Sequence, residues 1–353
     1  MRGSYWIRSL LMVAAVVAWA GCHSEVKEME LRTRTIGISD KFYDVQALDA
    51  DHAVVVGYGG KILMTADAGF TWSQVPTGTH RALYRVRFVD ANNGWISGQE
   101  GLILHTTDGG KTWQRQKTGT DVYLFSIAFV DALHGWAVGD KSILLETHDG
   151  GANWSLHKII PSSQKELSAE EAVASQDPVL YDIQFLDART GWVVGEFGKI
   201  YRTTDGGQSW SEQEQSLLGE EVMDILDIPT FFGIHMVDAQ HGLVAGLDGK
   251  IARTEDGVTW KFQKMKLDYP IVDPLFNPVV FPDGTGWAVG AAGEVVRRGT
   301  PDGEWQRTKL GMEVLTWLRG MSWIDQQNGW IVGGFGMILH TKDGGQTWIP
   351  SLG

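Results

Sequence analysis

The chain has 353 residues, among them 44 glycines, 16 tryptophans, ten prolines and one cysteine. Glycine does not recur at every third position, which excludes a collagen-like chain, and 43% hydrophobic residues provide for a folded core and exclude disorder. A single cysteine excludes a disulfide framework and a cysteine-based zinc site. The formal net charge of −13 argues against sequence-independent nucleic-acid binding, which needs a positive surface.

The N-terminus has the features of an export signal. Two arginines precede an apolar run, residues 10–20, that is too short to span a bilayer comfortably. Cys22 follows a pair of small residues, an arrangement that resembles the lipobox of bacterial lipoproteins, although Trp19 stands where leucine is usual. We predict residues 1–21 as a lipoprotein-type signal peptide, with Cys22 as the lipidated first mature residue on the periplasmic side of the cell envelope. A cleaved signal that releases a soluble periplasmic protein is the alternative.

One sequence unit recurs seven times in the rest of the chain. Residues 84–113 read YRVRFVDANNGWISGQEGLILHTTDGGKTW, and residues 125–154 read FSIAFVDALHGWAVGDKSILLETHDGGANW. The units end at tryptophans spaced by 41, 41, 56, 50, 45 and 43 residues: Trp72, Trp113, Trp154, Trp210, Trp260, Trp305 and Trp348. A period near 41 to 45 with four short strands is typical of a propeller, in which each blade is a four-stranded antiparallel sheet. We therefore predict an all-β, seven-bladed β-propeller over residues 40–353, with short helical inserts in its loops.

A turn motif precedes the last strand of each unit. In the second unit it reads Thr106-x-Asp108-Gly-Gly110-x-Thr112-Trp113, which resembles the Asp-box of bacterial neuraminidase repeats. We expect the aspartate to accept hydrogen bonds from the turn, glycine to take the positive-φ positions and tryptophan to pack between blades.

These aspartates are predicted to be structural. Complete boxes contain Asp67, Asp108, Asp149, Asp205 and Asp343, whereas the box around Asp256 is one residue short and the sixth, near Asp302, is degenerate. Seven separate turns cannot share one reaction, and each aspartate has too few oxygen neighbours for calcium. We therefore expect no metal ion at these turns.

The loops that vary between units form the candidate functional face. In a propeller the second-to-third and fourth-to-first connections emerge on one face, and the Asp-boxes lie on the other. Residues 155–180 contain a capping box, and residues 211–231 contain apolar residues at helical spacing, so each insert is predicted to hold a short helix. The second insert has six acids and no base, which predicts an acidic face dotted with aromatic residues. The candidate binding residues are Tyr58, Glu100, Asp140, Lys141, Glu196, Phe197, Asp248 and Phe335.

Two interpretations of the segment before the first unit stay open. Residues 29–36, MELRTRTI, look like another fourth strand that would complete or extend the last blade. Alternatively, residues 22–39 are a flexible tether from Cys22.

Asp-box propellers include sialidases, so a catalytic set has to be considered. A sialidase holds the substrate carboxylate with three arginines and uses a Tyr–Glu nucleophile pair. Arg85 and Arg319 begin first strands, but the alternation does not fix their direction, and no unit supplies a convincing Tyr–Glu pair. Glu100 and Glu196 are a conceivable glycosidase pair, although solvated loop charges are the favoured interpretation. The histidines lack metal-ligand spacing, so a metal site is unsupported. Because no convincing catalytic set is present, we expect no enzyme, no cofactor and no small-molecule ligand.

Together, the units resemble the photosystem II stability/assembly factor family and its relatives in non-photosynthetic bacteria. The resemblance covers about residues 40–353 and is clearest at residues 88–113 and 129–154. It implies an exported, non-enzymatic, seven-bladed propeller, often a lipoprotein, that assists the assembly of membrane complexes. Photosynthetic members carry a basic patch for their partner, whereas here only Arg297-Arg298 hints at one and the long inserts are acidic.

The resemblance and the residues predict a membrane-tethered scaffold. Its acidic loop face would dock an extracytoplasmic part of a membrane protein complex or of its assembly intermediates. The alternative is a glycan-binding or glycoside-hydrolysing, sialidase-like propeller.

Overall fold

The fold is a ring of seven antiparallel sheets. The computed structural model describes residues 35–160, 177–219, 223–224 and 227–351. Each sheet is built from consecutive strands of one repeat unit, and successive sheets pack against each other in chain order around a central axis. The predicted all-β, seven-bladed propeller is therefore confirmed.

The first four blades contain four strands each. Blade 1 consists of β1 (Phe42–Ala47), β2 (Ala53–Gly57), β3 (Ile62–Thr65) and β4 (Ser73–Val75). Blade 2 consists of β5 (Leu83–Phe88), β6 (Gly94–Gly98), β7 (Ile103–Thr106) and β8 (Gln114–Arg115). Blade 3 consists of β9 (Leu124–Phe129), β10 (Gly135–Gly139), β11 (Ile143–Thr147) and β12 (Ser155–Lys158). Blade 4 consists of β13 (Leu180–Phe185), β14 (Gly191–Gly195), β15 (Ile200–Thr203) and β16 (Ser211–Glu212).

The last three blades follow the same plan with one addition. Blade 5 consists of β17 (Phe231–Met236), β18 (Gly242–Gly246), β19 (Ile251–Thr254) and β20 (Trp260–Phe262). The added strand, β21 (Met265–Lys266), pairs in parallel with the outer strand of blade 6. Blade 6 otherwise consists of β22 (Leu275–Val280), β23 (Gly286–Gly290), β24 (Val295–Arg298) and β25 (Trp305–Arg307). Blade 7 consists of β26 (Leu318–Trp323), β27 (Gly329–Gly333), β28 (Ile338–Thr341) and β29 (Ile349–Pro350).

Burial follows from each strand's position in its blade. Second strands such as β6 are buried along their whole length, because neighbouring blades cover both faces of the sheet. Fourth strands such as β8 lie at the rim and are exposed. The hydrophobic core of the described residues is accordingly divided into seven clusters, one at each interface between adjacent blades.

Tryptophans in the second strands of five blades pack against the next blade. The Trp95 ring stacks on Phe129 of blade 3 with centroids 3.6 Å apart, and its indole N–H donates to the Gly150 carbonyl at 3.1 Å. Trp136 and Trp192 donate in the same way to Asp-box glycines of the following blades. Such ring pairs contribute about 0.5–1.5 kcal/mol each beyond the area they bury.

The ring closes through packing of blade 7 on blade 1. The Gly336 N–H donates to the Asp40 carbonyl at 2.8 Å, as the Gly101 N–H donates to Val122 at the junction of blades 2 and 3. The segment just before β1 thus acts as the fourth-to-first loop of this junction, and no strand is exchanged among the described residues. Of the suggested closing strand, residues 29–34 lie outside the described residues, and Ile36 is buried between blades 7 and 1 without strand structure.

Helical structure in the described part of the chain is limited to 3₁₀ turns of three or four residues: Tyr58–Gly60, Asp140–Ser142, Glu196–Gly198, Glu214–Leu217, Leu247–Gly249 and Ala291–Gly293. The helix predicted from the capping box near residue 168 lies outside the described residues. The one predicted over residues 219–227 lies largely outside them.

Candidate functional site

A closed ring of side chains surrounds the axis at the mouth beside the second-to-third turns. It consists of the second residue of every first strand, and we call it the collar: Tyr43, Tyr84, Phe125, Tyr181, Phe232, Phe276 and Arg319. Neighbouring aromatic centroids are 4.9–5.6 Å apart. The Arg319 guanidinium completes the ring, 5.6 Å from the Phe276 centroid and 5.7 Å from that of Tyr43. Burial lowers the pKa of Arg319 and raises that of Tyr84 to about 12.

The collar depends on a β-bulge in each first strand. In β5, Leu83 pairs with Gly98 and Arg85 with Ser97, so Tyr84 is left without a partner. The bulge turns two consecutive residues, Tyr84 and Arg85, towards the channel, where regular alternation would turn only one. Sequence reasoning missed the collar, although an aromatic residue at this position in six of seven units was a readable signal.

A buried ion network lies beneath the collar. The Asp182 carboxylate accepts hydrogen bonds from Arg85 Nη2 at 2.6 and 2.7 Å and from Ser126 Oγ at 2.7 Å. Asp44 accepts from Arg87 Nη1 at 3.1 Å and from the Val86 amide at 3.0 Å. Arg85 is therefore occupied by an internal carboxylate and is not free to hold a substrate carboxylate.

A cavity of about 1070 Å³ fills the other half of the channel and opens at the face that carries the Asp-boxes. Gln46 and Gln184 line it, and each bridges to backbone groups of the next blade's first strand. His235 also lines it and accepts a hydrogen bond from the Val280 amide at 3.3 Å. Burial and the nearby Arg87 lower the pKa of His235 to about 4, so the imidazole is neutral at pH 7.

The candidate binding residues lie in six of the seven second-to-third turns, and the seven turns together form a crown around the collar. Residues of this crown take the left-handed backbone conformation, among them Glu100, Lys141, Phe197, Asp248 and Phe335 with φ of 54–59°. Each turn contacts the following fourth-to-first loop, so both sets of connections lie on one face, which we call the loop face.

Several crown side chains are exposed. Tyr58 is 59% exposed, Phe197 47% and Phe335 60%. Burial raises the pKa of Asp140, and the nearby Glu196 adds to this effect. These residues share the crown, which is the arrangement the sequence predicted, but they are spread over blades 1 to 5 and 7.

The two glutamates of the crown, Glu100 and Glu196, have different partners. Glu100 forms an ion pair with Arg81 at 2.6 Å, and Glu196 accepts a hydrogen bond from the Val179 amide at 2.9 Å. Glu196 lies near Tyr181, and its charge adds to burial in raising the pKa of the Tyr181 phenol, a Tyr–Glu proximity that the sequence did not predict. No contact of the described residues brings Glu100 and Glu196 together as a carboxylate pair.

The Asp-boxes occupy the opposite face. Asp108 accepts hydrogen bonds from the Thr112 amide at 2.9 Å, from Thr112 Oγ1 at 2.6 Å and from Thr106 Oγ1 at 2.8 Å. These bonds lower the pKa of Asp108 to about 2. The same pattern recurs at the other complete boxes and, one residue shorter, at Asp256.

In the arginine pair of blade 6, Arg298 is buried and Arg297 is half-buried against a tryptophan ring, so the pair does not form an exposed basic patch. Arg298 replaces the threonine that opens the other boxes, is 1% exposed and donates to the Gly284 carbonyl. Arg297 lies over the Trp287 ring with its guanidinium carbon 4.9 Å from the centroid. The hint of a basic patch at this pair is therefore wrong.

Two negative findings apply to the described residues. None of their helices is long and apolar enough to cross a bilayer. They also contain no group of three His, Cys, Asp or Glu side chains placed to hold a metal ion.

Fold and site define a closed, seven-bladed Asp-box propeller with an aromatic collar. A model of the family described as "Photosynthesis system II assembly factor YCF48" matches residues 23–122, 115–173 and 160–228. These matches cover more than half of the chain, so the protein belongs to this family. The family prediction is thereby confirmed.

Two relatives share the family's sequence features. The Photosystem II assembly protein Ycf48 of Synechococcus sp. (strain JA-3-3Ab) is 29% identical over 174 residues, which are 49% of this chain and 48% of the relative. The Photosystem II assembly lipoprotein Ycf48 of Synechococcus sp. (strain CC9902) is 27% identical over 172 residues, 48% of this chain and 47% of the relative. The chain thus spans about half the length of the curated relatives it matches.

Solved structures share the fold. "YCF48 bound to D1 peptide" superposes with a TM-score of 0.60 at 24% identity and covers 79% of this chain and 83% of its own. YCF48 from Cyanidioschyzon merolae superposes with a TM-score of 0.68 at 18% identity, over 88% of this chain and 97% of that protein. A GH74 xyloglucanase from Xanthomonas campestris superposes with a TM-score of 0.65 at 12% identity, over 89% of this chain and 53% of that protein. At these identities the likeness shows the fold alone.

Proposed function

We propose that the protein is a non-enzymatic scaffold of the cell envelope whose loop face binds an extracytoplasmic part of a membrane protein complex or of its assembly intermediates. The observation that carries the proposal is the distribution of exposed apolar side chains. Most large ones among the described residues lie on the loop face: Ile38, Tyr58, Tyr123, Ile160, Phe197, Leu218, Met223, Leu247, Tyr269, Val272, Leu315 and Phe335. Concentrated exposed apolar residues mark protein interaction sites.

Family membership supports an assembly role. The relatives carry the names photosystem II assembly protein and assembly lipoprotein, and one solved relative is described as bound to a D1 peptide. A peptide partner on the loop face of this chain agrees with these descriptions. The partner itself is a proposal, because the shared sequence covers only about half of each relative.

Export and anchoring form part of the same proposal. The signal-like residues 1–21 and Cys22 would place the propeller on the periplasmic side of the envelope, held by a lipid. The name of one relative as a lipoprotein supports this placement.

The contacts of the charged groups argue for binding rather than catalysis. Arg85 is held by Asp182, and Glu100 is held by Arg81. Arg319 lies between two rings of the collar, which closes the axis on the loop face. A hydrolytic site needs a free acid and base around an open cleft, and these groups are engaged elsewhere.

Site-specific photo-crosslinking tests the proposal. A photoreactive phenylalanine at Tyr58, 59% exposed on the loop face, is expected to capture a subunit of a membrane complex in intact envelopes. The same group at Phe70, 78% exposed on the opposite face, is the matched control and should capture none. Capture from Phe70 alone, or no capture together with normal membrane complexes after gene deletion, would overturn the proposal. Hydrolysis of sialosides or other glycosides that is abolished by Glu100→Gln or Glu196→Gln would establish the enzymatic alternative.

A further inference from the structure

Charge is distributed unevenly around the crown. The turns of blades 2 to 5 carry four carboxylates and one lysine: Glu100, Asp140, Glu196, Asp248 and Lys141. The turns of blades 6, 7 and 1 read Ala-Ala-Gly, Gly-Phe-Gly and Tyr-Gly-Gly and carry no charge. Because the ring closes between blades 7 and 1, these three turns are neighbours and form one continuous sector of uncharged turns, which we call the uncharged sector. The charges near it, such as Lys41 and Glu313, belong to the adjoining fourth-to-first loops.

A groove lies within the uncharged sector. It has a volume of about 310 Å³, and its walls include Leu315, Trp317 and Phe335. Leu315 is 75% exposed, and the Trp317 ring stacks on Tyr43 of the collar with centroids 5.6 Å apart. Its lining residues include one cation, Lys41, and no carboxylate. This volume is at the lower end of ligand pockets, which suits one bulky apolar side chain.

Phe335 is exposed at a cost to the fold. Its φ of 55° lies in the left-handed region, which bulky residues rarely adopt, and its ring is 60% exposed. The equivalent position is glycine in blade 1 (Gly59) and alanine in blade 6 (Ala292), so the turn does not need an aromatic residue. Glu100, Lys141, Phe197 and Asp248 take the same backbone conformation in their turns, so what distinguishes Phe335 is its exposed ring at the groove, which suits contact with another molecule.

We propose that the loop face is a two-part docking surface for one protein segment, which places a bulky apolar residue in the Leu315–Trp317–Phe335 groove and lysine or arginine side chains over the acidic turns of blades 2 to 5. This inference rests on the proposed function and specifies the chemistry of the partner. Lys41 at the groove repels the basic part of the segment and the four carboxylates attract it, so the charges also fix the direction in which the segment lies.

Charge complementarity favours this occupant over a lipid surface. Anionic lipid headgroups would face the carboxylates of blades 2 to 5 and be repelled. A second copy of this chain would offer the same loop face, whose turns hold four carboxylates and one lysine and so supply too few cations to pair with the acidic turns.

The test uses a phage-displayed library of random 16-residue peptides, long enough at about 3.3 Å per residue to cross the face. The library is selected against the full chain, and affinities of the selected peptides are measured by fluorescence anisotropy. We expect the peptides to be enriched in Trp, Phe or Leu beside Lys or Arg, and their affinity to fall at high salt.

Three variants divide the contributions. Phe335→Gly removes the ring and relaxes the turn, so it should weaken the selected peptides about tenfold or more while shifting the unfolding midpoint by no more than about 5 °C. Asp248→Lys should weaken binding mainly at low salt. Ala68→Gly, which relaxes a residue with φ of 56° in an Asp-box turn of the opposite face, is the matched control and should leave affinity unchanged.

Enrichment of acidic peptides, no enrichment, or equal binding by Phe335→Gly would overturn the two-part surface. Two other results would also overturn it, if no peptide binds. One is Phe335-dependent binding to vesicles of phosphatidylcholine and phosphatidylglycerol, and the other is Phe335-dependent self-association in sedimentation. If Phe335→Gly still captures the membrane complex as the unchanged chain does, the proposed function stands and this inference fails. If the peptides behave as expected but no membrane complex is captured, the proposed function fails and the surface chemistry stands.

Discussion

Asp182 joins the first strands of four blades across the channel, so its replacement should strongly reduce the stability of the fold. Its carboxylate is 2% exposed and accepts hydrogen bonds from Arg85 of blade 2, Ser126 of blade 3 and the Ile234 amide of blade 5 at 2.6–3.1 Å. After Asp182→Ala, the nearest remaining carboxylate of Arg85 is that of Asp44, at 3.7 Å. The Ile234 amide would have no acceptor.

The expected loss of stability follows from these contacts. Removing one partner of a buried ion pair costs about 3–5 kcal/mol, because the other charge stays buried without it. Since Asp44 still lies 3.7 Å from Arg85, the lower end of this range applies. An orphaned buried amide adds about 1–3 kcal/mol. Asp182→Ala should therefore lower the free energy of unfolding by at least about 4 kcal/mol, a large fraction of the 5–15 kcal/mol of a typical domain.

Urea unfolding followed by tryptophan fluorescence measures this loss. Glu100→Ala, which breaks the exposed pair with Arg81, is the matched control and should cost about 0–1 kcal/mol. Replacing both buried partners, Arg85→Met with Asp182→Leu, should recover much of the stability lost in Asp182→Ala. If Asp182→Ala costs no more than Glu100→Ala, the channel network does not hold the blades together and the reasoning is refuted.

Three further predictions concern the repeats and pH. Asp108→Ala should lower the urea midpoint at pH 7, and the gap to the unchanged chain should close as the pH falls from about 4 to 2, since the folded pKa of about 2 lies below the unfolded value of about 3.9; a gap that is unchanged at pH 2 would contradict this. Burial lowers the pKa of His235 and His340 to about 4, below the unfolded value of about 6.5, so stability is full above pH 6.5 and declines towards pH 4. A double His235→Asn, His340→Phe variant should flatten urea midpoints between pH 7 and 5, and an unaltered slope would argue against these groups. Trp192→Phe should cost about 2–3 kcal/mol in urea unfolding, because the smaller ring leaves a void and the Gly257 carbonyl loses its donor at 3.1 Å; a cost below 0.5 kcal/mol would show that the interface repacks.

The collar explains why the loop face and the channel cavity are separate environments. Six rings and Arg319 close the axis on the loop side, and the cavity opens on the Asp-box side. A partner on the loop face therefore meets the crown and the collar, whereas the polar side chains of the channel, such as His235, are reached from the other face.

Features that depend on local hydrogen bonding or on the repeat period could be predicted from the sequence alone. The Asp-box at Asp108 is bonded to residues within four positions, so its turn can be read from a short motif. The tryptophans recur with the period of one blade, which made their role in blade packing predictable. The placement of turns and inserts on one face followed from the strand count alone, since four strands per blade return the chain to the same side.

The tertiary structure decided what depends on bulges and ring closure. The bulge at Tyr84 interrupts the two-residue alternation, which is why the direction of Arg85 could not be read from the pattern. The partner of Arg85 is Asp182, which is 97 residues away, and no local sequence pattern predicts this pair. Blades 7 and 1 lie at opposite ends of the chain, so the uncharged sector around Phe335 exists only after the ring has closed. Local contacts can be read from spacing, whereas contacts between distant units depend on how the blades are oriented around the axis.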